Sequence, residues 1–197
     1  MKKRVVYVNG NFVDEDKAKV SVFDRGFLFA DAVYEVTAVI DGKILEWDGH
    51  VKRLERSLKE LDMKFPISET ELLDIHFDLI KKNTLKEGLI YLQVTRGEDD
   101  RSFDYPDESV KPTLVLFTQV KSLAESNIAK TGLKVISVPD MRWGRRDIKT
   151  VQLLAPSMCK MMAKKKNKDD AWMVQDGFIT EGTSNNAYII TKDNVLI

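Results

Sequence analysis

The chain has 197 residues, of which 43% are hydrophobic, enough to bury a sizeable core in one large domain or two small ones. Lys and Arg together number 31, and Asp and Glu together number 31. The resulting net charge of zero gives no electrostatic reason to expect nucleic acid or an anionic membrane as a partner, so small molecules are the expected ligands.

The N-terminal part of the chain predicts two β-hairpins. The pattern of residues 4–9, RVVYVN, predicts a strand, and Asn-Gly-Asn at 9–11 is a hairpin signal before the strand resumes. Residues 33–46 indicate two strands joined at Asp41-Gly42, a pair suited to the positive φ angles of a tight turn.

Two amphipathic helices are predicted after these hairpins. The first takes Asp48 as its N-cap, and the second follows Ser68 and Glu71, whose spacing forms a capping box. The apolar residues that recur at helical spacing are Val51, Leu54, Leu58, Leu61, Leu72, Ile75, Leu79 and Ile80.

Strands resume beyond these helices, at 89–95 and 113–120, and a polar loop over 96–111 separates them. Another strand is predicted at 133–138. The charged segment around 121–130, which precedes that strand, is therefore the expected hinge between domains.

The C-terminal part predicts a helix over about 150–166 and a hairpin with strands at 171–175 and 187–197. Because the apolar end of the sequence has no closing helix, we expect the second domain to be incomplete. The whole pattern predicts a two-domain α/β (α+β) fold, with a small N-terminal α/β domain over 1–121 and the truncated first part of a larger α/β domain over 122–197.

Lys149 lies in the segment RRDIKTVQLL, residues 145–154, where apolar residues begin. Burial destabilises an ammonium group and lowers its pKa, which is the usual setting for lysines that form Schiff bases with carbonyl compounds. The alternative is a lysine at a strand end whose head group reaches solvent. The local sequence leaves both interpretations open.

A second polar motif, EGTSNN at 181–186, follows a short strand and a turn. Its small polar side chains and its glycine supply hydroxyl, amide and backbone donors suited to a phosphate. Glu181, at the strand end, has the charge to pair with a cationic ring nitrogen. The alternative is an ordinary hairpin turn, in which the same residue types are common.

Four segments spread over nearly the whole chain are informative together: FDRGFLFADAVYEV at 23–36, HVKRL at 50–54, RRDIKTVQLL at 145–154 and ITEGTSNNAYII at 179–190. In order and spacing they resemble the class IV pyridoxal-phosphate aminotransferases. Within that family, the D-amino acid aminotransferase branch is the most similar.

The resemblance implies a role for each motif. Lys149 would hold pyridoxal 5′-phosphate as a Schiff base and would move a proton as a general acid and base. Glu181 would keep the pyridine nitrogen protonated, and Arg53 would bind the phosphate through a guanidinium that is always charged. Three residues of the polar motif would complete the cofactor site: Ser184, Asn185 and Asn186.

For the substrate, the resemblance implies a carboxylate site built from Tyr34 and from a loop of the neighbouring subunit. Arg101 occupies the position of an arginine in that loop, whereas Phe103 occupies the position of a histidine. One donor is therefore missing, which leaves room for larger or less polar substrates. The alternative is that Arg101 is a solvated residue paired with a neighbouring acid, namely Asp99, Asp100 or Asp104.

The remaining candidates have simpler expected roles. His50 precedes Arg53 by three positions, so on a helix it either orients Arg53 or Glu35 or lies at the surface. His76 is expected to be structural and Cys159 to be a packing residue. Because no His, Cys and Asp cluster has metal-ligand spacing, we expect no metal.

We therefore expect a cytoplasmic, homodimeric transaminase that moves an amino group between an amino acid, such as D-alanine, and a 2-oxo acid. The single cysteine allows no internal disulfide, the segment after Met1 lacks an apolar signal region, and no apolar run reaches the roughly 18 residues of a membrane span. The alternatives are a branched-chain L-amino acid aminotransferase or aminodeoxychorismate lyase of the same family, an inactive cofactor-binding fragment, and an interaction module.

Overall fold

A computed structural model describes residues 3–125 and 127–197 and divides the chain into two compact units. The helices and strands confirm the mixed α/β class. The domain boundary at residue 121 stays a prediction. Ser126, within the predicted hinge, lies outside the described residues, as do Met1 and Lys2. The first unit comprises Met1–Ser126 and Arg146–Val151, and the second comprises Asn127–Arg145 and Gln152–Ile197.

Among the described residues, the first unit contains these elements: β1 Val5–Val8, β2 Asn11–Asp14, α1 Arg25–Phe29, β3 Ala32–Ile40, β4 Lys43–Ile44, α2 Trp47–Glu60, α3 Glu69–Asn83, β5 Gly88–Thr95 and β6 Thr113–Val120. The strands form one sheet in the order β2-β1-β6-β5-β3-β4, with every neighbouring pair antiparallel. The sequence pattern does not predict α1, because five residues are too few to show a helical period.

Both predicted hairpins are confirmed. β1 and β2 turn at Asn9 and Gly10, whose φ angles are 45° and 90°, and β3 and β4 turn at Asp41 and Gly42, whose φ angles are 51° and 71°. A type I′ two-residue turn matches the twist of its strands and needs positive φ at both central residues, which Asn-Gly and Asp-Gly pairs adopt at little cost.

The two predicted helices of this unit are α2, which contacts β3, and α3, which contacts β1 and β6. The capping box is present: Ser68 Oγ accepts from Glu71 N at 3.2 Å, and Glu71 Oε2 accepts from Ser68 N at 2.9 Å. The N-cap predicted at Asp48 is wrong, because α2 begins at Trp47, after Glu46 with a φ of 52°. Asp48 instead lies in the first turn, where its charge complements the helix dipole.

The core of the first unit lies between the sheet and these helices. Alternate residues of β3, β5 and β6 face the core, as the period of two in a strand requires, and the apolar faces of α2 and α3 cover them. The buried residues of this core are Tyr7, Val33, Val39, Leu54, Leu58, Met63, Leu72, Ile75, Leu79, Leu85, Ile90, Leu92, Val94, Leu114, Leu116 and Ile148.

The segment around Lys149 extends the sheet of the first unit. Tyr34 N donates to Lys149 O at 3.0 Å, and Val151 N donates to Ala32 O at 3.1 Å. The segment therefore runs antiparallel to the start of β3. This pairing places residues 149–151 beside β3, which lies more than 100 positions earlier in the sequence.

Among the described residues, the second unit contains α4 Asn127–Thr131, β7 Val135–Pro139, α5 Leu154–Lys165, β8 Asp170–Gln175 and β9 Phe178–Gly182. β7 and β8 are parallel, whereas β9 pairs antiparallel with β8. None of the helices in the described ranges is long and apolar enough to cross a membrane. The small core of this unit consists of Val138, Cys159, Ala163, Ala171 and Met173.

One boundary and one strand pairing predicted for this part of the chain are wrong. The helix expected from about residue 150 begins at Leu154, because the residues before it use their backbone groups to pair with β3. The strand expected at 187–197 is not the partner of β8. That partner is β9, which follows a tight turn at Asp176 and Gly177 with φ angles of 52° and 82°.

Candidate active site

The Lys149 amine contacts the Tyr34 side chain. Nζ donates to Tyr34 Oη at 3.3 Å and lies 4.4 Å from the centroid of the phenol ring. The two residues lie opposite each other on paired strand segments, so their side chains project from the same face of the sheet. Ile148 is buried in the core and Lys149 N donates to Ser57 Oγ at 3.4 Å, which fixes the segment on its other side.

The surroundings of Lys149 make its amine easier to deprotonate than the amine of a solvated lysine. Burial lowers the pKa of the amine, the Arg53 guanidinium lowers that pKa further, and the Glu35 carboxylate opposes them only in part. Burial also raises the pKa of Tyr34, so the phenol keeps its proton near neutral pH. Because a lysine amine is nucleophilic only without its proton, this environment suits carbonyl chemistry.

A buried carboxylate, Glu35, holds Arg53. Glu35 is 3% exposed and accepts from Arg53 Nε and Nη2 at 2.6 Å each. Glu35 Oε2 also lies 2.7 Å from His50 Nδ1, so His50 orients the pair instead of lying free at the surface. The guanidinium has five N–H donors and the Arg53 side chain is 41% exposed, so part of it remains accessible to an anion.

The role of Glu35 does not follow from the sequence motifs alone. Burial raises the pKa of Glu35, but the hydrogen bonds and charges of Arg53 and His50 together outweigh burial and lower it. A signal for this role exists in the sequence, because Glu35 alternates with Val33 and Thr37 on the core-facing side of β3. A buried carboxylate needs a cation or several donors, so such a residue predicts a partner.

Glu181 is held by a different arrangement, within the second unit. Its carboxylate forms an ion pair with Arg142 Nη1, and Arg142 Nη2 lies 2.8 Å from Asp140 Oδ2. The Asp140 side chain is fully covered and also accepts from Thr180 Oγ1 at 2.6 Å. Glu181 itself is 48% exposed at its side chain, so water reaches the carboxylate. No spacing in the sequence indicates Arg142 as its partner.

In the polar motif after Glu181, two side chains bond to an acid, and the residues from Ser184 to Asn186 are exposed. Thr183 Oγ1 and Asn185 Nδ2 donate to the carboxylate of Asp170, which is buried at the start of β8. Ser184 and Asn186 are exposed. The motif is not the turn of the β8 and β9 hairpin, which lies earlier in the chain.

Arg101 and Phe103 lie together on the loop between β5 and β6. The Arg101 guanidinium carbon lies 5.5 Å from the Phe29 ring centroid and 5.6 Å from that of Phe103. The two rings meet edge to face at 5.6 Å, although Phe103 is 82% exposed. Cation–π contacts therefore orient the guanidinium, while its predicted role in binding a substrate carboxylate stays a prediction.

A buried cluster that the sequence motifs do not reveal anchors this loop. Arg25 Nη1 donates to Ser102 O at 2.8 Å and to Asp104 O at 3.2 Å. Arg25 Nε and Arg96 Nε both donate to Asp31 Oδ2, at 2.9 and 2.7 Å. The loop backbone is thus fixed by a side chain of α1 that lies more than seventy positions earlier in the chain.

His76 is part of the core, as expected. It is 2% exposed, its Nδ1 lies 2.7 Å from Leu72 O, and burial lowers its pKa to about 4. The ring is therefore neutral near pH 7. Within residues 3–125 and 127–197, no group of three or more His, Cys, Asp and Glu side chains is placed to hold a metal ion.

Known proteins resemble this chain over nearly its whole length. A family model described as Amino-transferase class IV matches residues 32–197. A D-alanine aminotransferase of Staphylococcus haemolyticus is 36% identical over 191 residues, which cover 97% of this chain and 67% of that protein.

Solved structures share the fold. The branched-chain amino acid aminotransferase of Escherichia coli matches with a TM-score of 0.84 and 21% identity, over 99% of this chain and 67% of that one. The T.th. branched-chain amino acid aminotransferase with pyridoxamine 5′-phosphate matches with a TM-score of 0.83 and 20% identity, over 100% of this chain and 67% of that one.

Proposed function

The chain belongs to the class IV aminotransferases, and from that premise we propose that it is a pyridoxal-phosphate-dependent transaminase. It moves an amino group between a D-amino acid such as D-alanine and a 2-oxo acid. The observation that carries the proposal is Lys149, whose half-buried amine rests on Tyr34 and has a lowered pKa. The 36% identity to a D-alanine aminotransferase supports the choice of donor.

The residues of the first unit suit pyridoxal 5′-phosphate. When bound, this cofactor supplies an aldehyde that combines with amines and a pyridine ring that accepts electrons from the substrate carbon. Lys149 would hold the aldehyde carbon through its Nζ atom. Arg53 would bind the phosphate with the donors that Glu35 does not use, and the Glu35 pair keeps its guanidinium in place.

The residues of the second unit suit the same cofactor. Glu181 brings the negative charge that a protonated ring nitrogen requires, and its pair with Arg142 fixes the position of the carboxylate. Ser184 and Asn186 are exposed and would donate hydrogen bonds to the phosphate. Asn185 belongs to the same motif, although its amide is bonded to Asp170.

Lys149 would also carry the proton transfer. Its neutral Nζ would accept a proton from the substrate α-carbon. As an ammonium, it would then return a proton to the neighbouring carbon, which belongs to the cofactor. Burial lowers the pKa of this amine, so Nζ accepts and releases a proton closer to neutral pH than a solvated lysine does. Tyr34 Oη accepts a hydrogen bond from Nζ and thereby restrains the position of the amine.

The substrate carboxylate would be bound by Tyr34 and by Arg101 of a second copy of the chain, so we propose a homodimer. Phe103 adds an apolar surface beside Arg101, which leaves room for donors larger or less polar than D-alanine. Light scattering of the purified chain should give twice the mass of one copy. A monomer with full transaminase activity would contradict the proposal that Arg101 of a second copy binds the substrate carboxylate.

Labelling tests the role of Lys149. After incubation with pyridoxal phosphate and reduction with borohydride, mass spectrometry of the digested chain should find the cofactor on Lys149. Lys149→Ala should lose this label and lower kcat/KM by about 10³-fold, the scale of a general acid and base. Lys52→Ala, an exposed lysine on α2, is the matched control and should keep both. Full activity in Lys149→Ala, with the label on another lysine, would refute this role.

Amino donors separate the proposed reaction from its alternatives. D-Alanine and L-leucine are supplied separately with 2-oxoglutarate, and the keto-acid products are measured. We expect faster transfer from D-alanine. Preference for L-leucine would assign a branched-chain enzyme, turnover of aminodeoxychorismate without an acceptor would assign a lyase, and cofactor binding without turnover would leave only a binding function.

A further inference from the structure

Asp170 is a buried carboxylate to which the proposed chemistry assigns no role. It begins β8, and its side chain is 4% exposed. Thr183 Oγ1 donates to Oδ1, and Asn185 Nδ2 donates to Oδ2 at 3.0 Å. Ala171 N donates to Oδ1 at 2.8 Å, and Lys160 Nζ lies 3.1 Å from Oδ2. One carboxylate thus collects four donors from α5, β8 and the polar motif.

These donors keep the buried carboxylate charged. Burial raises the pKa of Asp170, but the hydrogen bonds from Thr183 and Ala171 N and the pair with Lys160 outweigh burial and lower it. Hydrogen bonds to a charged acceptor are stronger than neutral ones. The position of the polar motif is therefore fixed from its inner side.

Gly182 makes room for this arrangement. A Cβ atom at residue 182 would collide with the side-chain amide of Asn185, so glycine is the residue that lets the amide fold back over the end of β9. Thr183 and Asn185 are bonded to Asp170, and Ser184 and Asn186 are exposed, as is Asn185.

We propose that Asp170 is a positioning residue that holds the side chains of Thr183 and Asn185 and thereby presents Ser184 and Asn186 to the phosphate of the cofactor. The inference rests on the proposed function, because it takes that phosphate as the ligand. It also assigns Asn185 to the scaffold of the motif and leaves the direct phosphate contacts to its two neighbours.

Two ligands that differ only in the phosphate isolate this role. The affinities of the cofactor-free full chain for pyridoxal phosphate and for pyridoxal are measured by absorbance titration, and their ratio gives the contribution of the phosphate. A loss of general stability would weaken both ligands alike and leave the ratio unchanged. Loss of phosphate positioning would lower the ratio.

Thr183 offers a matched pair of variants. Thr183→Val, which is nearly isosteric but lacks the hydroxyl, should lower the ratio about tenfold, equivalent to about 1.4 kcal/mol. Thr183→Ser keeps the hydroxyl and should retain the wild-type ratio. Asp170→Asn should lower the ratio in the same direction. Asp169→Asn is the control, because the carboxylate of Asp169 accepts from Lys134 N instead of from the motif.

Each outcome decides for or against the inference. A lowered ratio in Thr183→Val, with Thr183→Ser and Asp169→Asn at the wild-type value, supports it. A ratio within twofold of the wild type in a folded Thr183→Val overturns the inference while leaving the proposed function intact. An equal loss of affinity for both ligands has the same consequence. If the wild-type chain binds neither ligand, the proposed function fails and this inference fails with it.

Discussion

Lys149 and Glu181 lie in contrasting surroundings. The Lys149 amine is half-buried on an aromatic ring, and burial lowers its pKa. Glu181 is 48% exposed and paired with Arg142. An amine that must lose its charge gains from burial, whereas a carboxylate that must keep its charge gains from water and a nearby cation. Under the proposed function, one reaction would use opposite environments for these two groups.

In both regions, an acid that is out of solvent fixes the position of an arginine. In the first unit the buried Glu35 fixes Arg53, and in the second the covered Asp140 fixes Arg142, which in turn pairs with Glu181. In each region an arginine is thus tied to an acid that is itself out of solvent. The geometry of both regions therefore depends on acids that are not part of the proposed chemistry.

Among the changes that test this contrast, Glu181→Gln has the largest expected effect. It removes the charge and keeps the size of the side chain. We expect kcat to fall about 10²-fold, the usual loss when one electrostatic partner of a reacting group is removed. The free energy of unfolding should change by less than about 0.5 kcal/mol, because the side chain is about half exposed and Arg142 keeps its pair with Asp140. Steady-state kinetics and urea unfolding measure both.

Asp193→Asn, an exposed acid in the same unit, is the control for Glu181→Gln and should leave both quantities unchanged. An unchanged kcat in Glu181→Gln would break the contrast, since the charge at this position would then have no function. A large loss of stability would break it differently, by showing that Glu181 is a structural residue.

In contrast to Glu181→Gln, replacing Glu35 with Gln should mainly lower the stability of the fold. We expect the free energy of unfolding to fall by about 2 kcal/mol. This is less than the 3–5 kcal/mol cost of breaking a fully buried pair, because Arg53 is 41% exposed and can regain water. Urea unfolding measures the loss, and Glu55→Gln, an exposed acid on the helix that carries Arg53, is the control.

A smaller effect is expected when acid neutralises Glu35 in the wild type. Because the pKa of Glu35 is lower in the folded chain than its ordinary value of 4.5, the ionised carboxylate stabilises the fold above about pH 4.5. That stabilisation is lost as pH falls through the folded pKa. The stability difference between wild type and Glu35→Gln should therefore shrink in acid. A constant difference would show that the charge is not its source.

Features decided within a few residues are the ones that the sequence predicts well. The capping box at Ser68 and Glu71 and the turns at Asn9-Gly10 and Asp41-Gly42 are confirmed, because each depends on backbone angles and bonds among neighbours. The start of α5 and the partner of β8 are predicted wrongly. Both depend on which distant strand captures the backbone, and local periodicity carries no such information.

By itself, the sequence determined the α/β class, the family and the candidate residues Lys149, Arg53 and Glu181. It did so because the motifs have the order and spacing of the class IV aminotransferases. Only the tertiary structure decided what surrounds them. Lys149 meets Tyr34 across 115 positions of sequence because a late segment pairs with β3, and Asp170 meets the polar motif because β8 and β9 are neighbours. Burial and ion pairing depend on distance in space, and chain topology sets that distance.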